Sequence, residues 1–527
     1  MADARAIIIG TGAGGLAAAA YLARDGFDVL ALDQSAHLGG YLNPFERGGF
    51  QFDPGVHYVG ECRPGQTLYE VLSGIGIDPT ALFCELDPEG FDVYRFPGLE
   101  VRACRGLDAY RDRLADVFPH ERQGLGRLFD VVRSFGAFLR ALAAVQGGRF
   151  RAEHARGLLS AGTFFRWSGS TLAALLEETL RDPRARAVLA AAGGTYGQPP
   201  SRASAAAGIG VLLHYADGAF FPRGGSAALR DALVGAARKN GASFRTGARV
   251  SRIVLRGGRA AGVELEGGER LEADVIVSDA DPMITFGELL PSDALPTRLL
   301  EKVRRTEPSL ATFAVYLGMR RDVRDRGLGR FNVWDYPDWN IDALYAPVFE
   351  GRMPDEPLLF LSPNASKDDS GAMAPAGTSS LEVHTFAPYS MFERWRGTPL
   401  EDRGHEYQAE KERIAARILE SLERRWPGVV GDVVVREIST PLTNEHYTLA
   451  PRGGAYGPAF TPAQAGLRRF RTVSPVRNLF LAGAGVFGDS VTLCLASGRV
   501  AARAAARALA ARRRLAPWAR APRPEPA

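Results

Sequence analysis

Gly10, Gly12 and Gly15 form a G-x-G-x-x-G turn between the apolar run Ile7-Ile8-Ile9 and an alanine-rich stretch. That spacing binds phosphate. Gly10 allows a tight turn, Gly12 lets the backbone approach a pyrophosphate, and Gly15 lets helix and strand pack closely. The helix start, with Ala13 and Gly14, offers unpaired N–H groups and the positive end of a helix dipole to those phosphates. A second strand over Phe27 to Leu32 ends on Asp33, placed to accept hydrogen bonds from an adenosine ribose. With a strand before the glycines, a helix after them and an acid ending the next strand, the pattern predicts a dinucleotide site. Gly39-Gly40, separated from Asp33 by five residues, shifts the expected ligand from a nicotinamide nucleotide to FAD.

These residues need a parallel sheet to hold them, and the chain order predicts one assembled from separated pieces. After the N-terminal unit, the nucleotide-binding half resumes near Phe220-Phe221-Pro222-Arg223-Gly224-Gly225-Ser226, a turn feeding a helix over Ala227 to Asn240. Short strands follow at Ser243 to Thr246, Val250 to Leu255, Ala261 to Leu265 and Ala273 to Ser278, with Gly257-Gly258 and Gly267-Gly268 marking hairpins. In flavoproteins of this build, the strand bearing Val250 meets the adenine edge through backbone groups, while core packing accounts equally well for its side chain. Asn478 to Gly483 closes the sheet ahead of a helix over about Thr492 to Ala511.

Two insertions interrupt this half. The first, about 60 to 215, reads as largely helical, with apolar periodicity across Leu107 to Leu142 and Leu172 to Ala192. The second, about 290 to 470, mixes strands (Ala311 to Leu317, Leu358 to Leu361, Leu381 to Phe386) with a charged helix, Glu406 to Trp426. The expected fold class is α/β: a Rossmann-type, glutathione-reductase-like FAD-binding domain interleaved with a mixed α+β substrate domain. The expected division assigns 1–60, 216–290 and 471–511 to FAD binding and 61–215 and 291–470 to a substrate-binding cap. An Arg/Pro-rich tail occupies 512–527.

At 527 residues, 46% apolar and 24% charged, the composition is that of a globular protein of two or more domains. The net charge of +4 is too small to indicate a nucleic-acid partner. Cys62, Cys84, Cys104 and Cys494 lack metal-ligand spacing and read as free buried thiols, so no metal site is expected. The first strand begins about at Arg5, which leaves no room for a signal peptide, and a cytoplasmic location is expected. Asn478 to Gly498 has the length of a membrane span, but Asp489 and several glycines interrupt it. A strand, a turn and a helix start fit that stretch better.

Over nearly its whole length the chain resembles the retinol saturase branch of the phytoene desaturase and carotenoid isomerase flavoproteins. Five blocks carry the resemblance: Phe52-Asp53-Pro54-Gly55-Val56-His57-Tyr58-Val59-Gly60; Tyr196-Gly197-Gln198-Pro199-Pro200-Ser201; His214-Tyr215 with Gly218 to Gly225; Pro441-Leu442-Thr443-Asn444; and Ala450-Pro451-Arg452-Gly453-Gly454-Ala455-Tyr456-Gly457. The resemblance implies non-covalent FAD and a long apolar polyene or isoprenoid, saturated, desaturated or isomerised at its carbon–carbon double bonds. Saturation also needs a proton donor. Candidates in and beside the matching blocks are His57, Tyr58, His214, Tyr215, His446, Tyr447 and Tyr456; each is equally a residue that packs against or hydrogen-bonds a flavin ring. His57 and Tyr58 rank first, Tyr447 and Tyr456 next.

Two departures from the family pattern stand out. Tyr41 follows the second glycine pair where a small residue, Cys or Arg is usual. Beyond Gly483, the places expected to hold an acid and further glycines carry Gly485, Ser490 and Leu493, with Asp489 displaced along the turn. The pyrophosphate-facing half is therefore intact and the isoalloxazine-facing half altered. A second complete dinucleotide fingerprint is absent, so the sequence indicates no dedicated nicotinamide site and leaves the electron donor or acceptor open. Two other classes share this architecture. A flavin-free prenyl-binding escort would have no need of Gly12. An amine oxidase would use an aromatic cage, and Trp334, Tyr336 and Trp339 show no spacing that fixes one. Phe164-Phe165-Arg166-Trp167, the stretch Phe135 to Val145 and the arginines Arg507, Arg512, Arg513 and Arg514 suggest peripheral contact with the inner membrane face. A buried helical core is the competing account of the two apolar segments.

Overall fold

The computed structural model describes residues 4–146 and 151–515. Five parallel strands form the first sheet, in the order Leu479–Leu481, Val275–Ser278, Arg5–Ile9, Asp28–Leu32, Ser243–Arg245. A parallel sheet covered on both faces reads as continuous apolar sequence, and Ile7 and Ile8 at its centre are fully buried. The helix Ala13–Arg24 lies against the final helix, Val491–Leu515. Its alanines make the approach possible. A Cβ on Gly498 would stand 2.1 Å from the Gly14 carbonyl oxygen, so the two backbones touch there. A three-stranded antiparallel ribbon, Val250–Arg256, Arg259–Leu265 and Arg270–Glu272, turns at the two glycine pairs as expected.

Seven strands form the second sheet, in the order Val433–Ser439, Ala311–Met319, Ser379–Ala387, Leu359–Ser362, Asn332–Asp335, Asp92–Phe96, Leu99–Ala103. The last two come from the first insertion, which is therefore not helical from its start. Asp92–Phe96 pairs in parallel with Asn332–Asp335, a contact between the two insertions that no local pattern announces. Periodic stretches break where proline removes a helix donor. Leu107 to Leu142 divides at Pro119 into Leu107–Val117 and Arg122–Gln146. Leu172 to Ala192 divides at Pro183, where the Asp182 side chain caps the second helix by accepting from the Arg184 N–H at 2.7 Å.

The supposed turn at Phe220–Pro222 is a short strand paired with Phe83–Glu85, and the helix after it starts at Ser226. Asn478 to Gly498 parses into strand, turn and helix, and among the described residues no helix is long and apolar enough to cross a membrane. The final helix continues to Leu515, past the expected end at Ala511, and the rest of the tail, 516–527, lies outside the described residues. All four cysteines are free and buried.

Candidate active site

The glycine turn follows the first strand directly. Gly10 has φ of 86°, which a side chain would strain, and its N–H donates to the Leu32 carbonyl at 2.8 Å, tying the turn to the second strand. Asp33 is held from two sides: Oδ2 accepts from the Thr11 N–H at 2.9 Å and from the Thr11 hydroxyl, and Oδ1 accepts from the Ser35 N–H at 2.9 Å. The Gly39 N–H donates to the same Thr11 hydroxyl at 3.2 Å. Thr11, an unassigned position in the motif, therefore locks the acid and the second glycine pair to the phosphate turn. A Cβ on Gly40 would lie 3.4 Å from the Gly12 Cα. Gly15 faces inward, where a Cβ would meet the Gly10 carbonyl at 2.1 Å, so its part is packing rather than contact with a ligand. Ala13, Gly14 and Val250 line the same cavity as Gly10, Gly12 and Asp33.

At the other end of the turn, a Cβ on Gly14 would stand 2.6 Å from the Gly483 nitrogen, so the N-terminal and C-terminal glycine motifs meet. Gly485 packs on Pro282, with 2.3 Å between its missing Cβ and the proline Cδ. Tyr41 abuts Gly55 and faces the cavity. Asp489 also lines the cavity; burial pushes its carboxyl up to about 7, with the nearby Arg469 guanidinium pulling the other way. The displaced acid thus still reaches the chamber.

Asp279 escaped the sequence reading. It follows the strand Val275–Ser278, and a Cβ on Gly12 would fall 2.5 Å from its Oδ2. Burial raises its carboxyl to about 7, the Gly15 and Gly12 N–H groups hold it down, and the charge of Asp33 pushes it up further. Ionisation of Asp279 as pH rises through about 7 places negative charge beside the pyrophosphate turn. FAD affinity, followed by flavin fluorescence, is therefore expected to fall across that range, and Asp279→Asn is expected to flatten the dependence.

The four ranked proton-donor candidates all border one cavity of about 1310 Å³ that also holds the nucleotide residues. That exceeds a typical small-ligand pocket of roughly 300–1,000 Å³ and leaves room for a dinucleotide and a second molecule. Tyr58 Oη donates to Asp92 Oδ2 at 2.9 Å, and its ring stacks on Tyr215 at 4.4 Å. Its proton is already committed to a buried carboxylate. Tyr447 is 49% exposed. Tyr456 lies against Gly197, where a Cβ would come within 2.9 Å of its ring. Of the other candidates, His214 is held by Glu61, its Nδ1 2.9 Å from Oε1, and the His446 ring packs edge-on to Tyr447.

His57 has different company. Its Nδ1 lies 3.4 Å from Glu382 Oε2, and His384 Nε2 lies 3.5 Å from the same oxygen. His57, Glu382 and His384 are the one group of metal-ligating types that clusters among the described residues. Beside them the Lys367 ammonium donates to the His57 carbonyl, Asn332 Oδ1 and Ser362 Oγ, each at 2.7 Å. Its charge favours the ionised form of Glu382, against the burial that raises that carboxyl. Glu382, His384 and Lys367 were missed because they lie in the second insertion. For Glu382 and His384 a signal existed: in Leu381 to Phe386 a Glu and a His two apart fall on one face of a mainly apolar strand, and buried charge is uncommon without a role or a partner.

The chain belongs to the flavin containing amine oxidoreductase family, whose model matches residues 13–386. It is an FAD-dependent oxidoreductase. The N–H groups at the helix start, the acid at the second strand and the Gly14–Gly483 contact suit the parts of that cofactor. Among curated proteins it is similar to an all-trans-retinol 13,14-reductase of Danio rerio, 28% identical across 94% of this chain and 86% of that protein. It is also similar to a zeta-carotene-forming phytoene desaturase of Myxococcus xanthus, 29% identical across 94% and 92%. Among solved structures, an oxidoreductase from Methanosarcina mazei shares the fold, with a TM-score of 0.64 at 17% identity over 95% of this chain and 100% of that one. The family resemblance read from the five sequence blocks agrees with these relatives.

Proposed function

We propose that the protein saturates a carbon–carbon double bond of a long apolar polyene, a retinoid- or carotenoid-like molecule. The observation that carries this reading is the lining of the cavity. It runs without a break from the phosphate turn to a chamber walled by Phe135, Leu142, Phe164, Leu213, Trp334 and Phe360. An apolar ligand gains about 25 cal/mol for each Å² it removes from water there. Bound FAD supplies hydride chemistry at N5. The chain's own residues orient the polyene, exclude water and deliver the matching proton.

The reading assigns Gly10, Gly12, Ala13, Gly14, Asp33, Gly39, Gly40, Tyr41, Val250, Gly483, Gly485 and Asp489 to the FAD surround, with Gly15 shaping the turn. It assigns 1–60, 216–290 and 471–511 to FAD binding and 61–215 with 291–470 to the cap. Anaerobic incubation of reduced enzyme with a panel of polyenes, followed by product mass, tests the reaction. A gain of two hydrogens supports it; loss of two hydrogens with oxidised enzyme means desaturation, and an unchanged mass with a shifted spectrum means isomerisation.

The same reading places the chain at the inner membrane face, reached from the cytoplasm. Phe164 and Trp167 belong to the core, but Phe165 is 60% and Leu159 86% exposed, near exposed Leu139 and Val145 and the exposed Arg140, Arg151 and Arg156. Leu139 and Arg140 also border the cavity, so this apolar and basic patch adjoins it. The protein is expected to float with anionic liposomes and Phe165→Glu/Leu159→Glu to stay behind. A wild-type protein left in the bottom fraction overturns the membrane reading.

A further inference from the structure

We infer that His57 is the residue that hands a proton to the substrate and that Glu382 is the store that refills it, with Lys367 and His384 as positioning residues. The inference rests on the saturating reaction proposed above.

Two geometric facts point here. His57 Nδ1 is buried with no partner inside hydrogen-bonding geometry, and the one acceptor or donor facing it at 3.4 Å is Glu382 Oε2. His57 also borders the cavity, which leaves the opposite ring nitrogen, Nε2, for the substrate side. Glu382 is fully buried and its other oxygen, Oε1, accepts from the Asp53 N–H at 2.8 Å, so the carboxyl cannot turn away. The His57 ring is wedged by Phe360 and His384, whose centroids lie 5.1 and 4.8 Å away at 69° and 70°.

Burial decides which group holds the proton. It pushes the Glu382 carboxyl up to about 8, while burial and the neighbouring His384 and Lys367 keep His57 well below the usual imidazole value. At neutral pH the resting pair is then a carboxylic acid beside a neutral imidazole. An isolated neutral imidazole is a poor acid. Coupled to Glu382 it need not form an imidazolate: as the Nε2–H bond breaks and a C–H bond forms, the Glu382 O–H bond breaks and an Nδ1–H bond forms. The carboxylate left behind faces the Lys367 ammonium. Bound in its reduced form, FAD would supply the hydride for the adjacent carbon and be left oxidised, so that two electrons and two hydrogens would enter the double bond. Water then returns one proton to the pair before the next turnover.

The titration that matters is that of Glu382, and the groups facing it are His57, His384, Lys367, Asp53, Tyr316 and Asn364. The store is filled below its raised value and empty above it. Turnover is therefore expected to fall as pH rises through about 8.

The test compares wild type, Glu382→Gln, Glu382→Asp and His57→Gln, all loaded with FAD. Glu382→Gln and His57→Gln are expected to lose about 10²- to 10⁴-fold in kcat with KM and flavin occupancy little changed. The double variant should lose no more than either alone, and Glu382→Asp should recover part of the rate. Independently of turnover, infrared spectra of resting enzyme should show a protonated-carboxyl band that is missing in Glu382→Gln. Nitrogen NMR should place the His57 proton on Nε2. A wild-type enzyme that adds hydrogen to none of the polyenes sinks the reaction proposed above. A wild-type enzyme that saturates them while Glu382→Gln keeps its rate and pH limb sinks the relay. So does the absence of the carboxyl band or a His57 proton resting on Nδ1.

Discussion

Gly12→Val is expected to purify folded but without yellow colour. A Cβ at this position falls 2.5 Å from Asp279 Oδ2, and the two further methyls fill the space between the turn and Gly40 that a pyrophosphate needs. Loss of two charge-assisted hydrogen bonds, at about 1.5–3 kcal/mol each, corresponds to roughly 10²- to 10⁴-fold in FAD affinity. The clash with Asp279 is separable from the loss of phosphate contact. Gly12→Ala/Asp279→Ala removes the first and keeps a methyl in the cradle, so it too should bind FAD weakly. Asp33→Ala removes the ribose contact and frees Thr11 but leaves the cradle open, and should bind FAD better than Gly12→Val. Full flavin occupancy in purified Gly12→Val, measured by absorbance against protein concentration, contradicts the assignment.

Lys367→Met is expected to destabilise the protein by about 3–5 kcal/mol, the cost of removing one partner from a buried charged network. The ammonium is fully buried and makes three hydrogen bonds of 2.7 Å. Burial lowers its pKa to about 7, and the charges of Glu382, Asp92 and Asp53 work against that. Methionine fills the space but leaves the His57 carbonyl without a donor and Asp92 and Asp53 without a nearby cation, while Asn332 Oδ1 keeps only the Ser362 hydroxyl. Denaturant unfolding of the apoprotein checks this, and a midpoint within the error of wild type would mean that the acids are neutral and independent of the lysine. His57 would also lose the tie at its own carbonyl, so surviving folded protein should carry FAD yet turn over slowly.

The sequence by itself determined the nucleotide half of the protein, because that chemistry is local. Gly10 and Gly15 act through backbone conformation and close packing, and Asp33 through the Thr11 side chain and backbone of the adjoining turn, so their spacing alone sets their geometry. Ile7 to Ile9 could only be a strand buried on both faces, and Gly257-Gly258 and Gly267-Gly268 could only turn hairpins. Even Thr11, unassigned in the motif, lay within reach of that reading.

Tertiary structure alone decided what else borders the cavity beyond the glycine turn. Asp92–Phe96 joins Asn332–Asp335 across 240 residues, and a parallel pairing at that distance leaves no trace in either segment. That pairing belongs to the sheet that carries Glu382 and His384, and the block Phe52 to Gly60 brings His57 against it. His57 and Tyr58 looked equivalent as neighbours in one block. Adjacent residues on extended chain point to opposite sides, so one faces Glu382 and the other gives its proton to Asp92. The difference lies in the partners, which come from distant strands.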